Sequence, residues 1–182
     1  RAAAGVAEIR VVDNASRDGS LDIVQRHALA DPRLRFIANP DNPGFAVACN
    51  QGAADSRAPW LAFVNPDCLV EADSLARMHA HAYQAMGVGD GGPRDIAEVV
   101  DVALRGQGGD AVIGADLVDE DGMRDAAARR RDPVFAAMLR SPAAASKLGV
   151  PADDRQAVQP VDIISGALML MPRALFDRIG GF

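Results

Sequence analysis

The stretch Trp60-Leu-Ala-Phe-Val-Asn-Pro-Asp67 decides the fold, because a continuously apolar run ends abruptly in a polar turn. Such a run is typical of a strand buried on both faces of a mostly parallel sheet. Asn65-Pro66 is a turn signal, and it places the carboxylate of Asp67 just past the end of the predicted strand. Ligands of open α/β sheets bind at this edge. The stretch therefore predicts a central strand with a candidate ligand group at its tip.

Short β-branched runs and amphipathic helical patterns alternate on both sides of this strand. Before it, residues 6–12 and 35–38 are predicted strands, and the helices that follow are expected to begin at Ser20, as a capping residue, and after Asn42-Pro43-Gly44. After it, the predicted elements are a helix at 75–86, strands at 112–118, 161–164 and 168–171, and a helix from Pro172 through Ile179. This alternation predicts an α/β domain with parallel strands flanked by helices.

The chain of 182 residues is long enough for one domain with a buried core, and we expect residues 1–182 to form one. The glycine-bordered segment 87–109 differs in composition from its surroundings and is predicted to be an insertion, either a lid or docking element or tolerated surface. Both ends look like cuts through a longer protein, since Arg1 is not Met and Phe182 comes straight after a helical pattern.

Composition excludes several classes of protein. A net charge of −6 argues against a nucleic-acid binder, which needs a basic surface. No apolar run approaches the roughly 18 residues that span a bilayer. The two cysteines, Cys49 and Cys68, lie in apolar sequence and do not suggest a disulfide scaffold. A reducing, cytoplasmic setting fits best.

Three loops with polar side chains follow predicted strands, so they are expected to converge at one edge of the sheet: Asp13-Asn14, residues 42–50 and Asn65-Pro66-Asp67. A single rigidly held carboxylate such as that of Asp67 is enough protein for Mg²⁺, which is often bound by one or two carboxylates together with substrate phosphates. The alternative is that Asn65-Pro66-Asp67 is only a turn that caps the next helix.

The other two loops also have two interpretations each. Asp13 is placed to accept a hydrogen bond from a pyrimidine ring N–H, or else makes a local Asx-turn. The helix start after Asn42-Pro43-Gly44 offers free N–H groups to a diphosphate, or else is an ordinary capped helix end.

Three other patterns are weaker evidence for a functional site. The Gly87-Val-Gly-Asp-Gly-Gly92 run matches the dinucleotide fingerprint, but no strand is predicted before it. His79 and His81 fall on different helix faces and make a poor metal pair. Asp119-Glu-Asp-Gly122 is predicted to be a hairpin turn, because it lacks the spacing of a calcium loop.

Four segments, in this order, resemble family 2 glycosyltransferases, in particular the rhamnosyltransferase-like branch. They are Val11-Val-Asp-Asn-Ala-Ser-Arg-Asp-Gly-Ser20, Asn42-Pro-Gly-Phe-Ala-Val-Ala-Cys-Asn-Gln-Gly52, Phe63-Val-Asn-Pro-Asp67, and Ser165-Gly-Ala-Leu-Met-Leu-Met-Pro-Arg173 with Ile179-Gly-Gly-Phe182. The resemblance covers nearly the whole chain except 87–109. It implies a GT-A fold, with a Rossmann-like sheet flanked by helices and incomplete at both ends.

The resemblance also implies roles for individual residues. Asp13 looks like the family's nucleobase-contacting aspartate, and Asp67 looks like its ligand for Mg²⁺ or Mn²⁺ and the diphosphate. Asn65 would contact the ribose or donor sugar, and Arg130 or Arg131 would reach the site, unless this basic run is a solvated face. The nucleotide-sugar pocket would be completed by Asn14, Asn42, Gly44, Phe45 and Asn50, and residues Ser165, Gly166 and Ala167 would form the acceptor and donor-sugar loop.

The implied function is inverting transfer of a sugar, with rhamnose as the sugar of this branch, from a dTDP- or UDP-sugar to a saccharide or lipid-linked acceptor. The transfer would contribute to cell-surface polysaccharide synthesis and take place at the inner face of the membrane. Peripheral association of the protein with the membrane is left open. The family's general base is expected after Phe182, so no catalytic base is assigned and residues 1–182 alone are expected to turn over little or no donor. Two alternatives stay open: a non-catalytic GT-A-like nucleotide- or glycan-binding scaffold, and a nucleotidyltransferase, which would need a basic glycine-rich loop early in the chain.

Overall fold

The structure, a computed structural model, describes residues 5–86, 111–125, 128–130 and 149–182. Its helices are α1 Ser20–Ala30, α2 Phe45–Ala53, α3 Ser74–Ala85 and α4 Arg173–Ile179. Its strands are β1 Ile9–Asn14, β2 Leu34–Asn39, β3 Trp60–Val64, β4 Ile113–Gly114, β5 Arg129–Arg130, β6 Ile163–Ile164 and β7 Leu168–Pro172. Strands and helices alternate as predicted, and the α/β class is confirmed.

The described strands form three small sheets with different pairings. β1 and β2 are parallel, with Asp13 opposite Ala38 and Asn14 opposite Asn39 at their carboxyl ends. β7 lies between β3 and β4 and is antiparallel to both, and β5 pairs antiparallel with β6. The predicted parallel pairing therefore holds for the first two strands only. In the second sheet only β7 runs against its neighbours, and β3 and β4 on either side of it run in the same direction.

The hydrophobic core lies on both faces of β7, which is buried along its whole length. On one face, Met169 and Met171 pack with Phe63 and with residues of α2 and α4. On the other, Leu168 and Leu170 pack against Met78 of α3. β7 is thus the central strand of a helix–sheet–helix sandwich, and it brings its leading loop, residues 165–167, to a fixed position.

β3 differs from its prediction. Leu61 and Phe63 are buried, whereas Ala62 and Val64 are exposed. The apolar run predicted burial on both faces, but the second face is covered only at its start, where Trp60 packs against the Met78 cluster. The strand still begins at Trp60 and ends at Val64, so the position of the following turn is as predicted.

Three smaller predictions, for the start of α1, the turn at 119–122 and the segment 87–109, have different outcomes. Ser20 does not cap α1: Gly19 is the capping residue, and Ser20 donates through both its N–H and its hydroxyl to the Asp18 carboxylate. The 119–122 turn is a hairpin as predicted, closed by Gly122 N–H to Asp119 O at 3.0 Å. The 87–109 insertion lies wholly outside the described residues.

Helix α2 is held at its carboxyl end by two guanidinium groups. Arg173 donates from Nη1 to the carbonyls of Ala53 at 2.9 Å and Ser56 at 2.8 Å. Arg10 donates to the carbonyls of Gly52 and Ala54. Cations near the carboxyl end of a helix interact favourably with its dipole and satisfy its unpaired carbonyls. The amino end of α2, where the candidate site begins, is thereby fixed in place.

Within the described ranges, none of the helices combines the length and apolar character needed to cross a bilayer.

Candidate functional site

The turn after β3 holds Asp67 at its apex. Cys68 donates its N–H to the Asn65 carbonyl at 3.1 Å, which closes a four-residue turn with Pro66 and Asp67 at its centre. The Asp67 side chain is exposed, and no hydrogen bond or ion pair joins it to another described residue. Helix α3 begins only at Ser74, after a cap at Asp73. The segment is therefore a turn, but it does not cap the next helix.

The loop at residues 165–167 lies directly beside this turn. Asn65 donates its backbone N–H to the Ala167 carbonyl at 2.7 Å, and the Cys68 thiol reaches the same oxygen at 3.4 Å. Ser165 folds the loop by accepting the Ala167 N–H on its Oγ at 3.2 Å. Two of the predicted site segments are thus joined through their backbones.

The amino end of α2 contacts the same loop. A Cβ placed on Gly166 would lie 3.7 Å from Cζ of Phe45, the first residue of α2. Phe45 is 52% exposed, so its ring borders open space as well as Gly166. Gly44 adopts a φ of 95°, which is favourable only for glycine, and this conformation turns the chain into the helix.

A network of side-chain amides joins Gly44 to the ends of β1 and β2. Asn14 donates to Asn42 Oδ1 at 3.3 Å and to the Gly44 carbonyl at 3.4 Å, and it accepts from Asn39 at 2.9 Å. Asn42 Oδ1 also accepts the Gly44 N–H at 3.0 Å. Asn39 and Gln51 exchange two further bonds, at 2.8 and 3.0 Å. These amides fix the loop before α2 against both parallel strands.

Asp13 makes the local turn that was one of its two interpretations from sequence, and the nucleobase contact stays a prediction. Its Oδ2 accepts the Ser16 N–H at 3.1 Å, which is the local turn. The half-buried side chain forms no other hydrogen bond with the described residues, so its second oxygen is available to a ligand. The intervening Ala15 has a φ of 61°, a left-handed conformation that costs a non-glycine residue about 1 kcal/mol or more. Such strain is common in loops that carry function.

The other predicted site residues are placed as follows. The side-chain amide of Asn50 donates to the Phe182 carbonyl at 2.7 Å and accepts the Phe182 N–H at 2.9 Å. Arg130 lies on β5 opposite Ile163, and the N–H of Ser165 bonds to the carbonyl of Ala128, two residues before Arg130, at 3.3 Å. Its neighbour Arg129 is paired with Asp116. Arg131 lies outside the described residues.

Sequence reasoning missed Asn39 and Gln51, which support the site without any motif of their own. The signal available was positional: Asn39 ends a predicted strand just before Pro40, as Asn14 ends the previous one, and parallel pairing sets the two amides side by side. Cys49, whose pKa is raised by burial, packs against the core and is not an activated nucleophile.

The described residues contain no group of three or more His, Cys, Asp or Glu side chains able to hold a metal ion by themselves. The open carboxylate of Asp67 fits a different arrangement, in which a divalent cation is held jointly by one protein carboxylate and by substrate phosphates. A single exposed carboxylate fits a cation that is shared in this way.

The predicted segments thus form one continuous chain of contacts: Asp67's turn to residues 165–167, that loop to Phe45, and the amino end of α2 to Asn14. The glycosyl transferase family 2 model matches residues 3–180, nearly the whole chain. The chain belongs to glycosyl transferase family 2.

Individual relatives match shorter stretches. The succinoglycan biosynthesis protein ExoO of Rhizobium meliloti (strain 1021) is 39% identical over 71 residues, which cover 39% of this chain and 20% of that protein. The putative teichuronic acid biosynthesis glycosyltransferase TuaG of Bacillus subtilis (strain 168) is 31% identical over 70 residues, 38% of this chain and 28% of that protein. The matched region is thus only a fifth to somewhat over a quarter of these relatives.

Among solved structures, the chain is similar to the mannosyltransferase PcManGT from Pyrobaculum calidifontis in complex with GDP-Man and Mn²⁺. The match covers 96% of this chain and 38% of that chain, with a TM-score of 0.48 and 22% sequence identity.

Proposed function

We propose that this family 2 chain binds a nucleoside-diphosphate sugar, dTDP- or UDP-linked, and presents it for inverting transfer to a saccharide or lipid-linked acceptor in cell-surface polysaccharide synthesis. One observation carries the proposal. The Asn65 N–H to Ala167 carbonyl bond, 2.7 Å long, sets the Asp67 turn beside the 165–167 loop, which in turn contacts the start of α2.

Each segment has a task in this proposal. Asp13 accepts a hydrogen bond from the pyrimidine ring through its second carboxylate oxygen. The unpaired N–H groups in the first turn of α2, together with the positive end of its dipole, receive the diphosphate. Asn65 contacts the ribose or donor sugar, and residues 165–167 face the sugar and the incoming acceptor. Rhamnose is the sugar we propose, from the resemblance to that branch.

Asp67 would hold Mg²⁺ or Mn²⁺ together with the diphosphate. When bound, the cation neutralises the negative charge that develops on the leaving diphosphate as the glycosidic bond breaks. The role of the protein is to fix the carboxylate: Pro66 restricts the backbone, and the Asn65–Cys68 turn bond holds the apex rigid. The acceptor would be met in the cytosol, at the inner face of the membrane.

The experiment is a calorimetric titration of the protein with UDP and with dTDP, with and without Mn²⁺, repeated on Asp67→Asn. We expect Mn²⁺ to tighten binding of one nucleotide in the wild type. In Asp67→Asn this enhancement should fall by about tenfold or more, because a contact made by a charged group is worth about 1.5 kcal/mol or more and about 1.4 kcal/mol is tenfold in affinity. Asp22→Asn, an exposed carboxylate on α1, is the matched control and should behave as the wild type.

Two results would overturn the proposal. One is the absence of binding of either nucleotide to the wild type. The other is metal-assisted binding that survives unchanged in Asp67→Asn, which would remove the metal role of that residue. A scaffold domain without donor binding, the alternative function, corresponds to the first result.

A further inference from the structure

Asn50 and Phe182, 132 residues apart, are joined by a pair of hydrogen bonds. The Asn50 Nδ2 donates to the Phe182 carbonyl at 2.7 Å, and the Phe182 N–H donates to Asn50 Oδ1 at 2.9 Å. The amide thus pairs with the backbone of one residue as a neighbouring strand would. Both bonds have good lengths, and together they fix the plane of the amide.

The polypeptide reaches Asn50 because of how α4 ends. Gly181 donates its N–H to the Phe176 carbonyl at 3.0 Å, and Gly180 to the Asp177 carbonyl at 3.2 Å, which is the Schellman pattern of a helix end. Both glycines have a φ of 83°. A Cβ on Gly181 would lie 2.6 Å from Asn50 Oδ1, so the close approach of the amide also requires glycine there.

The ring of Phe182 forms an aromatic cluster with the rings of Phe63 and Phe176. Its centroid lies 4.8 Å from that of Phe63 on β3 and 5.4 Å from that of Phe176 on α4. Phe63 is two residues before Asn65, where the Asp67 turn begins. The pair therefore ties the middle of α2 to the strand that carries the turn, while the first residue of α2, Phe45, contacts Gly166.

We infer that Asn50 is a positioning residue, which sets the amino end of α2 relative to the Asp67 turn through Phe182 and does not itself touch the nucleotide. This inference rests on the proposed function of the site, and it gives Asn50 a role different from the pocket-lining one that the resemblance implies. The ring of Phe182, packed on Phe63 and Phe176, anchors the backbone groups that Asn50 binds, so loss of the ring and loss of the amide disturb one arrangement and the two substitutions are energetically coupled.

The test is a double-mutant cycle on donor binding in the full chain, with Asn50→Ala, Phe182→Ala and the double variant. The probe is UDP or dTDP with Mn²⁺, whichever the wild type binds. Each single substitution should weaken binding by about three- to tenfold, and the double variant should be no weaker than the worse single, since residues in one network are not additive. Phe36→Ala is the matched control, because Phe36 is 39% exposed and Phe182 40%.

Independent effects overturn the inference: binding weakened by Asn50→Ala but unchanged by Phe182→Ala, or losses that multiply in the double variant, mean that Asn50 does not act through Phe182. Unchanged binding in both single variants overturns it equally. If an alanine variant does not fold, Asn50→Ser and Phe182→Leu close the same cycle. A wild type that binds neither nucleotide refutes the proposed function instead, so the two failures are distinguishable.

Discussion

The backbone N–H of Asn65 donates to the carbonyl of Ala167 across 2.7 Å, one position beyond the last paired residues of β3 and β7, Val64 and Leu168. The antiparallel ladder therefore extends past the strands and ends where both loops leave the sheet. Because β7 is buried along its whole length, the loop that precedes it is held by the core. A buried strand pair thus positions these two loops side by side.

Gly166 provides a test of this arrangement. Gly166→Ala should be tolerated, because its Cβ would meet Phe45 at an ordinary contact distance of 3.7 Å. Gly166→Leu should fold but weaken nucleotide binding, since the larger side chain must displace the half-exposed Phe45 ring at the start of α2. Thermal unfolding and UDP or dTDP titration measure the two effects. Wild-type affinity in the leucine variant would mean that the loop does not adjoin the pocket.

Two other glycines should respond oppositely to alanine. Gly114→Ala brings a Cβ to 2.8 Å from the Ile164 Cβ, and overpacking of this kind costs about 1–3 kcal/mol of unfolding free energy. Gly52→Ala meets only Val12 Cγ2, at 3.4 Å, and should gain up to about 1 kcal/mol from helix propensity within α2. Urea unfolding of both variants decides the matter. Shifts of the same sign would contradict the difference in packing between the two glycines.

Local sequence predicted the elements of this fold better than their pairing. β3 was placed from Trp60 to Val64 because a continuous apolar run followed by Asn65-Pro66 needs no distant information. The antiparallel return of β7 was not predicted, since its partner lies about a hundred residues earlier and periodicity does not record direction. Burial of both faces of β3 was also predicted wrongly, because an apolar side chain such as Val64 need not be covered.

The candidate site likewise has parts that the sequence predicts and parts that it does not. The positions of Asp13, Gly44 and Asp67 followed from their places after strands, and the structure links their loops through contacts. The pairing of Asn39 with Asn14 could have been found from parallel register, but the bonds of Asn50 to Phe182 and of Asn39 to Gln51 could not. Such partners depend on tertiary packing. The roles of the individual site residues stay predictions until binding is measured.

The ion pair of Asp31 and Arg33 predicts a pH dependence of stability. Hydrogen bonds from the Arg33 side chain hold the pKa of Asp31 at about 2, below its ordinary 3.8. A carboxyl whose pKa is lower when folded contributes stability above the ordinary value, and this contribution is lost as the pH falls from 3.8 toward 2. Asp31→Asn should therefore lower the unfolding midpoint near neutral pH but have little effect on that midpoint at a pH of about 2.

The matched control for this pair is Asp41→Asn, an exposed carboxylate with no hydrogen bond or ion pair to another described residue. It should track the wild type at both values of pH. A difference between wild type and Asp31→Asn that stays constant as the pH falls would show that the loss arises from the loop conformation and not from the charge of Asp31.

Arg173 tests whether α2 is held from its carboxyl end. In Arg173→Met the stem is kept, while the bonds to the carbonyls of Ala53 and Ser56 are lost together with the favourable charge at the helix terminus. The unfolding free energy should fall by about 1–3 kcal/mol, because those carbonyls are partly buried and would be left without their donor. Arg77→Met removes only exposed ion pairs, with Glu71 and with Asp73, and should change stability by less than about 1 kcal/mol. Equal losses in the two variants, measured by urea unfolding, would mean that the guanidinium at α2 contributes no more than a surface charge, and the fixed placement of the helix start beside Gly166 would then need another cause.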